Sequence, residues 1–166
     1  MEMKSTLFLY SYHHNNTKKI ADSMAKVLDA EIKEPQKLNL KNLQEYDLIG
    51  FGSGIYSGKH YKSLLELADK LPQTTSGKAF IFSTCGIPAI FVKSTNPQGK
   101  ELAIQQHLEL REKVKSKGYN IVGEFGCPGL DTNSFLKLFG GLNKGRPNAV
   151  DLKRAEEFAH KLKQGS

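Results

Sequence analysis

Short apolar, β-prone runs alternate with amphipathic helical stretches along this chain, and that alternation limits the folds open to it. The first pair shows the pattern at its clearest. Thr6, Leu7, Phe8, Leu9 and Tyr10 read as a strand, and from Thr17 the residues Ile20, Ala21, Met24, Val27 and Leu28 fall on one helical stripe. Between them runs a polar loop, Ser11-Tyr12-His13-His14-Asn15-Asn16. A strand that feeds a helix through such a loop leaves backbone N–H groups unpaired at the helix start. Those donors and the positive end of the helix dipole suit an anion such as a phosphate. Ser11 and Thr17 add hydroxyls, and Asn15 and Asn16 tolerate left-handed turn geometry.

The alternation continues. Residues 31–33 predict a short, charged edge strand ended by Pro35. Residues 46–52 predict a buried strand whose glycines allow close backbone approach. A loop over residues 53–58 leads to a helix with Tyr61, Leu64, Leu65, Ala68 and Leu71 on one face, stopped by Pro72. Residues 78–84 predict another buried strand, followed by a long loop to about Gly99. A helix over residues 100–117, with Ala103, His107, Leu110 and Val114 in line, is capped by Gly118. Residues 120–126 form the last predicted strand. Residues 127–147 read as irregular apart from an apolar piece at Phe135, Leu136, Leu138 and Phe139. Asn148 predicts the N-cap of a final helix in which Leu152, Ala155, Phe158, Ala159 and Leu162 face inward.

Strands alternating with helices imply parallel βαβ units with right-handed crossovers. The expected architecture is an α/β protein, a three-layer α/β/α sandwich around a five-stranded parallel sheet. The 166 residues suit one domain over 1–166. In such sheets ligands bind beyond the carboxyl ends of the strands. The loops after the first, third and fourth strands meet there as one site.

Two common nucleotide motifs are absent. After Gly50 and Gly52 the third glycine of G-x-G-x-x-G is Ile55, and Gly58-Lys59 is followed by His60 rather than the hydroxyl residue of a P-loop. The net charge of +7 is spread over several predicted helices among acidic residues. That pattern lacks the basic, aromatic stripe of a nucleic-acid binder and reads as solvated helix faces, with steering toward an acidic partner as the alternative. No apolar run is long enough to span a bilayer. Cys85 and Cys127 do not make a disulfide framework, so a reducing, cytoplasmic location is expected.

At the first loop the chain resembles the flavodoxin family in its short-chain form. Tyr10, Thr17 and Ala21 match the family's phosphate-loop pattern in register, and Asn16-Thr17 reproduces its asparagine–threonine pair. Tyr12 stands where the family has a hydroxyl residue, with Ser11 one place early, and Asn15 replaces a small residue. Gly52-Ser53-Gly54-Ile55-Tyr56-Ser57-Gly58 resembles the family's second loop, Ser83-Thr84-Cys85-Gly86 lies at its third, and Gly145-Arg146-Pro147-Asn148 recurs before the last helix.

The resemblance implies strand order 2-1-3-4-5, an FMN cofactor and an electron-transfer role between redox partner proteins. FMN itself carries the electrons, and the protein tunes the potential around the ring. The implied FMN contacts are Ser11, Tyr12, His13, His14, Asn15, Asn16 and Thr17 from the first loop. The second loop contributes Ser53, Gly54, Ile55, Tyr56, Ser57 and Gly58, with Tyr56 as the stacking aromatic. Thr84, Cys85 and Gly86 come from the third. No catalytic acid, base or nucleophile and no metal is expected, and the chain is a monomer or homodimer.

The alternative within the fold is an NAD(P)H-dependent or quinone-linked FMN oxidoreductase, with residues 87–99 walling a substrate site. A response-regulator-like module fits less well, because the first strand ends without an acidic cluster for magnesium. Among single residues, the His13–His14 pair lacks further ligands for a metal. His107 reads as a boundary core residue, and His60 and His160 as surface. Cys85 and Cys127 are expected to be small buried thiols, a redox disulfide beside the flavin being the sharper alternative.

Overall fold

Alternation along each strand decides which layer of the molecule a residue joins. The computed structural model describes residues 3–12, 14–37, 40–88, 103–132, 138 and 140–165. Among them are the strands β1 (Ser5–Tyr10), β2 (Glu31–Lys33), β3 (Leu48–Tyr56), β4 (Lys59–His60), β5 (Lys78–Cys85) and β6 (Asn120–Pro128). The helices are α1 (Asn16–Leu28), α2 (Lys62–Lys70), α3 (Leu108–Ser116) and α4 (Ala149–Gln164). The sheet runs β2-β1-β3-β5-β6 with every one of these pairs parallel, and β4 folds back antiparallel on the end of β3. Counting the five parallel strands alone, this is the expected 2-1-3-4-5 order.

Leu7, Leu9, Leu48, Phe80, Phe82 and Phe125 point to one face, where Ile20, Met24 and Leu28 of α1 and Ala155, Ala159 and Leu162 of α4 cover them. Phe8, Ile49, Phe51, Ala79 and Ile81 point to the other, against Leu64, Leu67 and Ala68 of α2 and Leu110 and Val114 of α3. Both faces are therefore dry, as a parallel sheet requires. The glycines of β3 make room for large neighbours. A Cβ on Gly50 would lie 2.4 Å from Phe80 Cζ, and one on Gly52 would lie 2.1 Å from Phe82.

Three expectations need correction. The stretch 53–56 is strand rather than loop, because Ile55 and Tyr56 pair with His60 and Lys59 around a Ser57-Gly58 turn. Both turn residues have positive φ, 51° and 79°, the geometry that matches the twist of a two-residue hairpin. The helix expected over 100–117 is interrupted: residues 103–105 are helical, Gln106 and His107 form a turn, and α3 resumes at Leu108, with residues 100–102 outside the described ones. His60 is 2% exposed, where a surface position was expected: the hairpin folds it back along the central strand β3, against Ser53 and His107. β6 also runs on to Pro128, and an isolated bridge from Asp131 to Leu142 closes the following segment. The wall beyond Pro88 and the apolar residues Phe135, Leu136 and Phe139 lie outside the described residues, as does His13.

Candidate functional site

The carboxyl end of β1 delivers the chain to α1 through two consecutive left-handed residues, His14 (φ 56°) and Asn15 (φ 52°). Asn16, expected to share that geometry, is instead the first residue of the helix. Asn15 occupies the N-cap position without a side-chain cap bond. Its role falls to Ser11, whose Oγ accepts the Lys18 N–H at 3.2 Å. The Thr17 hydroxyl lies 2.8 Å from that of Thr84 at the end of β5, both side chains buried. Asn16 Nδ2 donates to the Leu130 carbonyl at 2.9 Å, while its buried Oδ1 has no hydrogen-bond partner among the described residues.

These groups meet in a cavity of about 60 Å³, open to solvent. Ser11, His14, Asn16 and Thr17 line it from the first loop, Gly54, Ile55 and Tyr56 from β3, and Thr84, Cys85 and Gly86 from the end of β5. The Tyr56 ring lies over Gly54, 3.1 Å from where a Cβ there would sit. It meets Tyr61 edge-on at 5.4 Å, and Tyr61 in turn stacks on Tyr10 with centroids 3.7 Å apart. Hydrogen bonding with Tyr61 pushes the Tyr10 phenol up to about 12, with burial acting in the same direction.

Gly129, Leu130, Asp131 and Thr132, in the stretch expected to be irregular, complete the cavity wall. A Cβ on Gly86 would lie 2.5 Å from the Asp131 carboxylate, so Gly86 is what allows this loop so close. The loop is clasped from below. Leu130 N–H donates to the Arg146 carbonyl at 3.1 Å, and the Arg146 guanidinium is bidentate to the fully buried Asp151. Asp151 also closes a capping box with Asn148 at the start of α4. Asp151 at the third position after the Asn148 cap was the available signal.

Several expected residues stand away from the cavity. Tyr12 is 73% exposed and lines a neighbouring groove between α1 and β2. Asn15 is exposed at the turn, and Ser57 and Gly58 form the exposed hairpin tip. Ser53 is fully buried on the opposite face of the sheet.

There it joins a polar cluster that the sequence did not reveal. His60 Nδ1 lies 2.8 Å from Ser53 Oγ, and the His60 and His107 rings pack 4.9 Å apart. His107 Nε2 lies 2.8 Å from Ser83 Oγ and Nδ1 lies 2.9 Å from Glu124, which Arg111 grips with two hydrogen bonds. Burial holds both imidazoles below the ordinary histidine range. Burial alone would raise the Glu124 carboxyl, but hydrogen bonds from His107 and Arg111 outweigh it and hold it at about 2.

The sheet register also decides the cysteine question. Cys127 pairs with Thr84, and Cys85 pairs with Pro128, so the two thiols project to opposite faces. Both are free and buried, and burial raises both thiols above their ordinary value. The redox-disulfide alternative is thereby set aside.

A family model described as a flavodoxin domain matches residues 7–124. An uncharacterized protein of Methanocaldococcus jannaschii is 49% identical over 160 residues, 96% of this chain and 98% of that one. Oxidised flavodoxin 2 from Bacillus cereus superposes with a TM-score of 0.69 at 16% identity, over 98% of this chain and 99% of that one. A Fusobacterium nucleatum flavodoxin bound to flavin mononucleotide superposes with a TM-score of 0.62 at 15% identity, over 98% of this chain and 99% of that one. The fold, its strand order and these matches agree: the chain belongs to the flavodoxin family.

Proposed function

We propose that this chain binds FMN in the cavity at the carboxyl ends of β1, β3 and β5, and carries electrons between redox partner proteins. One observation carries the reading. The start of α1, the hydroxyls of Ser11, Thr17 and Thr84, and the side-chain-free positions Gly54, Gly86 and Gly129 converge on one cavity. The donor set fits the cofactor: hydroxyls and the first amides of α1 suit the phosphate. The unpartnered Asn16 Oδ1 is an acceptor that a ligand hydroxyl would satisfy.

FMN, when bound, supplies the one- and two-electron chemistry. The residues of the chain bind and orient it. Ser11, Asn16 and Thr17 hold the phosphate and sugar end, with Thr84 fixing the Thr17 hydroxyl from behind. Tyr56, braced by Tyr61, offers an aromatic face to the ring and keeps water from the Gly54 side. Asp131, beside Gly86, sets a negative charge against the cavity and so disfavours added electron density there.

A net charge of +7 favours partners with acidic surfaces. Among the described residues no helix is long and apolar enough to cross a membrane. A single domain over residues 1–166, working in the cytoplasm, fits this role.

The test is the visible spectrum of the protein after incubation with FMN and desalting, followed by anaerobic reductive titration. A retained flavin band that bleaches in two one-electron stages, with negligible NAD(P)H oxidation in the presence of a quinone, is the expected result. Bleaching in one two-electron stage with rapid turnover supports the oxidoreductase instead. A protein that retains no flavin removes both readings.

A further inference from the structure

Gly54 lines the cavity, yet its carbonyl is engaged from the opposite face of the sheet. The buried Ser53 Oγ donates to Gly54 O at 2.8 Å, accepts the Tyr61 N–H at 3.1 Å and lies 2.8 Å from His60 Nδ1. A hydroxyl has one proton and two lone pairs. With the His60 proton on Nδ1, all three contacts are made together: Nδ1–H and the Tyr61 N–H fill the lone pairs, and the hydroxyl proton goes to Gly54 O. With the proton on Nε2, Ser53 has to turn its own proton to Nδ1. The Gly54 carbonyl then loses its donor and one lone pair stays empty.

Nothing at the other end of the ring offsets that loss. Among the described residues His60 Nε2, buried, has no hydrogen-bond partner, so neither tautomer gains a bond there. The ring has no freedom to seek one, since it is 2% exposed and packed against His107. His107 is fixed by the same accounting. Its Nδ1 faces the Glu124 carboxylate, an acceptor only, so Nδ1–H donates and the Ser83 hydroxyl donates to Nε2. The two rings form a buried wall behind the second loop.

We propose that His60 is a positioning residue for that loop: as the Nδ1–H tautomer it commits the Ser53 hydroxyl to the Gly54 carbonyl, and so fixes the direction of the Gly54–Ile55 peptide beside the cavity. The consequence for redox chemistry rests on the FMN reading, whereas the geometry does not. A carbonyl tied to Ser53 cannot turn to a reduced ring without giving up that bond. The latch therefore weighs against any reduction level at which the Gly54 carbonyl would leave Ser53 for the ring.

The first readout needs no flavin. In ¹⁵N NMR of the flavin-free protein, His60 is expected to show a protonated Nδ1 and an unprotonated Nε2. A protonated Nε2 overturns the proposal whatever the protein binds, and failure to retain FMN would count against the functional reading alone. The second readout is the pair of one-electron midpoint potentials of the FMN-loaded protein. Ser53→Ala is expected to change the ratio of the two reduction constants by about two- to tenfold, the worth of one net hydrogen bond. His60→Asn, whose amide N–H takes the place of Nδ1–H, is expected to keep the wild-type ratio. His60→Gln, whose N–H takes the place of Nε2, is expected to shift it as Ser53→Ala does. Asn and Gln are alike in size and polarity, so a purely structural role would move both equally, and equal ratios in the two overturn the latch.

Discussion

The hydroxyls of Thr17 and Thr84 lie 2.8 Å apart and buried, tying the first turn of α1 to the end of β5 in the wall of the cavity. Either oxygen can donate, but only Thr17 stands at the helix start where an anion would bind. Thr17→Val should therefore raise the FMN dissociation constant by about tenfold or more, as loss of a hydrogen bond to a charged group does. Thr84→Val should have the smaller effect on affinity and should lower stability by about 1 kcal/mol, because the Thr17 hydroxyl loses its buried partner. Flavin-fluorescence titration and urea unfolding of the two variants read both quantities. Equal losses of affinity would mean that the pair acts as one unit.

Gly52 has no side chain because the Phe82 ring fills that space, 2.1 Å from an ideal Cβ. Gly52→Ala is expected to destabilise the protein by about 1–3 kcal/mol through overpacking. Adding Phe82→Leu should recover part of that loss, giving a favourable coupling in a thermal-unfolding cycle. No recovery would mean that the strain lies in the backbone of β3 rather than against the ring.

The layers were legible because they follow from periodicity, whereas the strand order came from the family resemblance. Leu7 and Leu9 against Phe8, and Ile20, Met24 and Leu28 at helical spacing, settle which faces are buried. Asn148 announced its helix through a cap that works locally. The second loop misled, because Ile55-Tyr56 and Lys59-His60 become a hairpin only when the Ser57-Gly58 turn accepts two positive φ angles. The cavity wall at residues 129–132 was hidden for a different reason. It is held by contacts spanning more than a hundred residues, such as Asn16 to Leu130, and no local pattern encodes those. His60 was expected at the surface, and its burial depends on His107, far along the chain.

The buried histidines fix how stability depends on pH. Burial, with the neighbouring His107 adding, holds His60 well below the ordinary value of 6.5, and burial does the same for His107 despite the opposing pull of Glu124. Both stay neutral in the native state while the unfolded chain takes up protons below about 6.5. Their contribution is thus complete above that pH and is lost as the pH falls. Each histidine adds a slope of that sign between its unfolded and native values, over a wider pH range for His60 than for His107. Glu124, held at about 2 against 4.5 unfolded, adds a further loss as the pH drops from about 4.5 toward 2. Urea midpoints between pH 8 and 5 should fall steeply for the wild type and less steeply for His60→Gln. An unchanged slope in that variant would place the titration elsewhere.

The clasp below the cavity should behave as a buried ion pair broken on one side. Asp151 is fully buried and satisfies the Arg146 guanidinium, the Asn148 N–H and the start of α4 together. Asp151→Asn removes the charge but keeps the shape, leaving Arg146 partly buried without a counter-ion, at a cost of about 3–5 kcal/mol. The loss should not stay local. Arg146 also presents the carbonyl that receives Leu130 N–H, and the Asp131–Leu142 bridge lies just beyond it. Amide exchange at Leu130, Asp131 and Leu142 is therefore expected to speed up more than at Phe80 or Ile81 in the core of the sheet, and FMN affinity is expected to fall with it. Uniform acceleration across all five amides would mean that the pair stabilises the whole molecule and does not specifically hold the cavity wall.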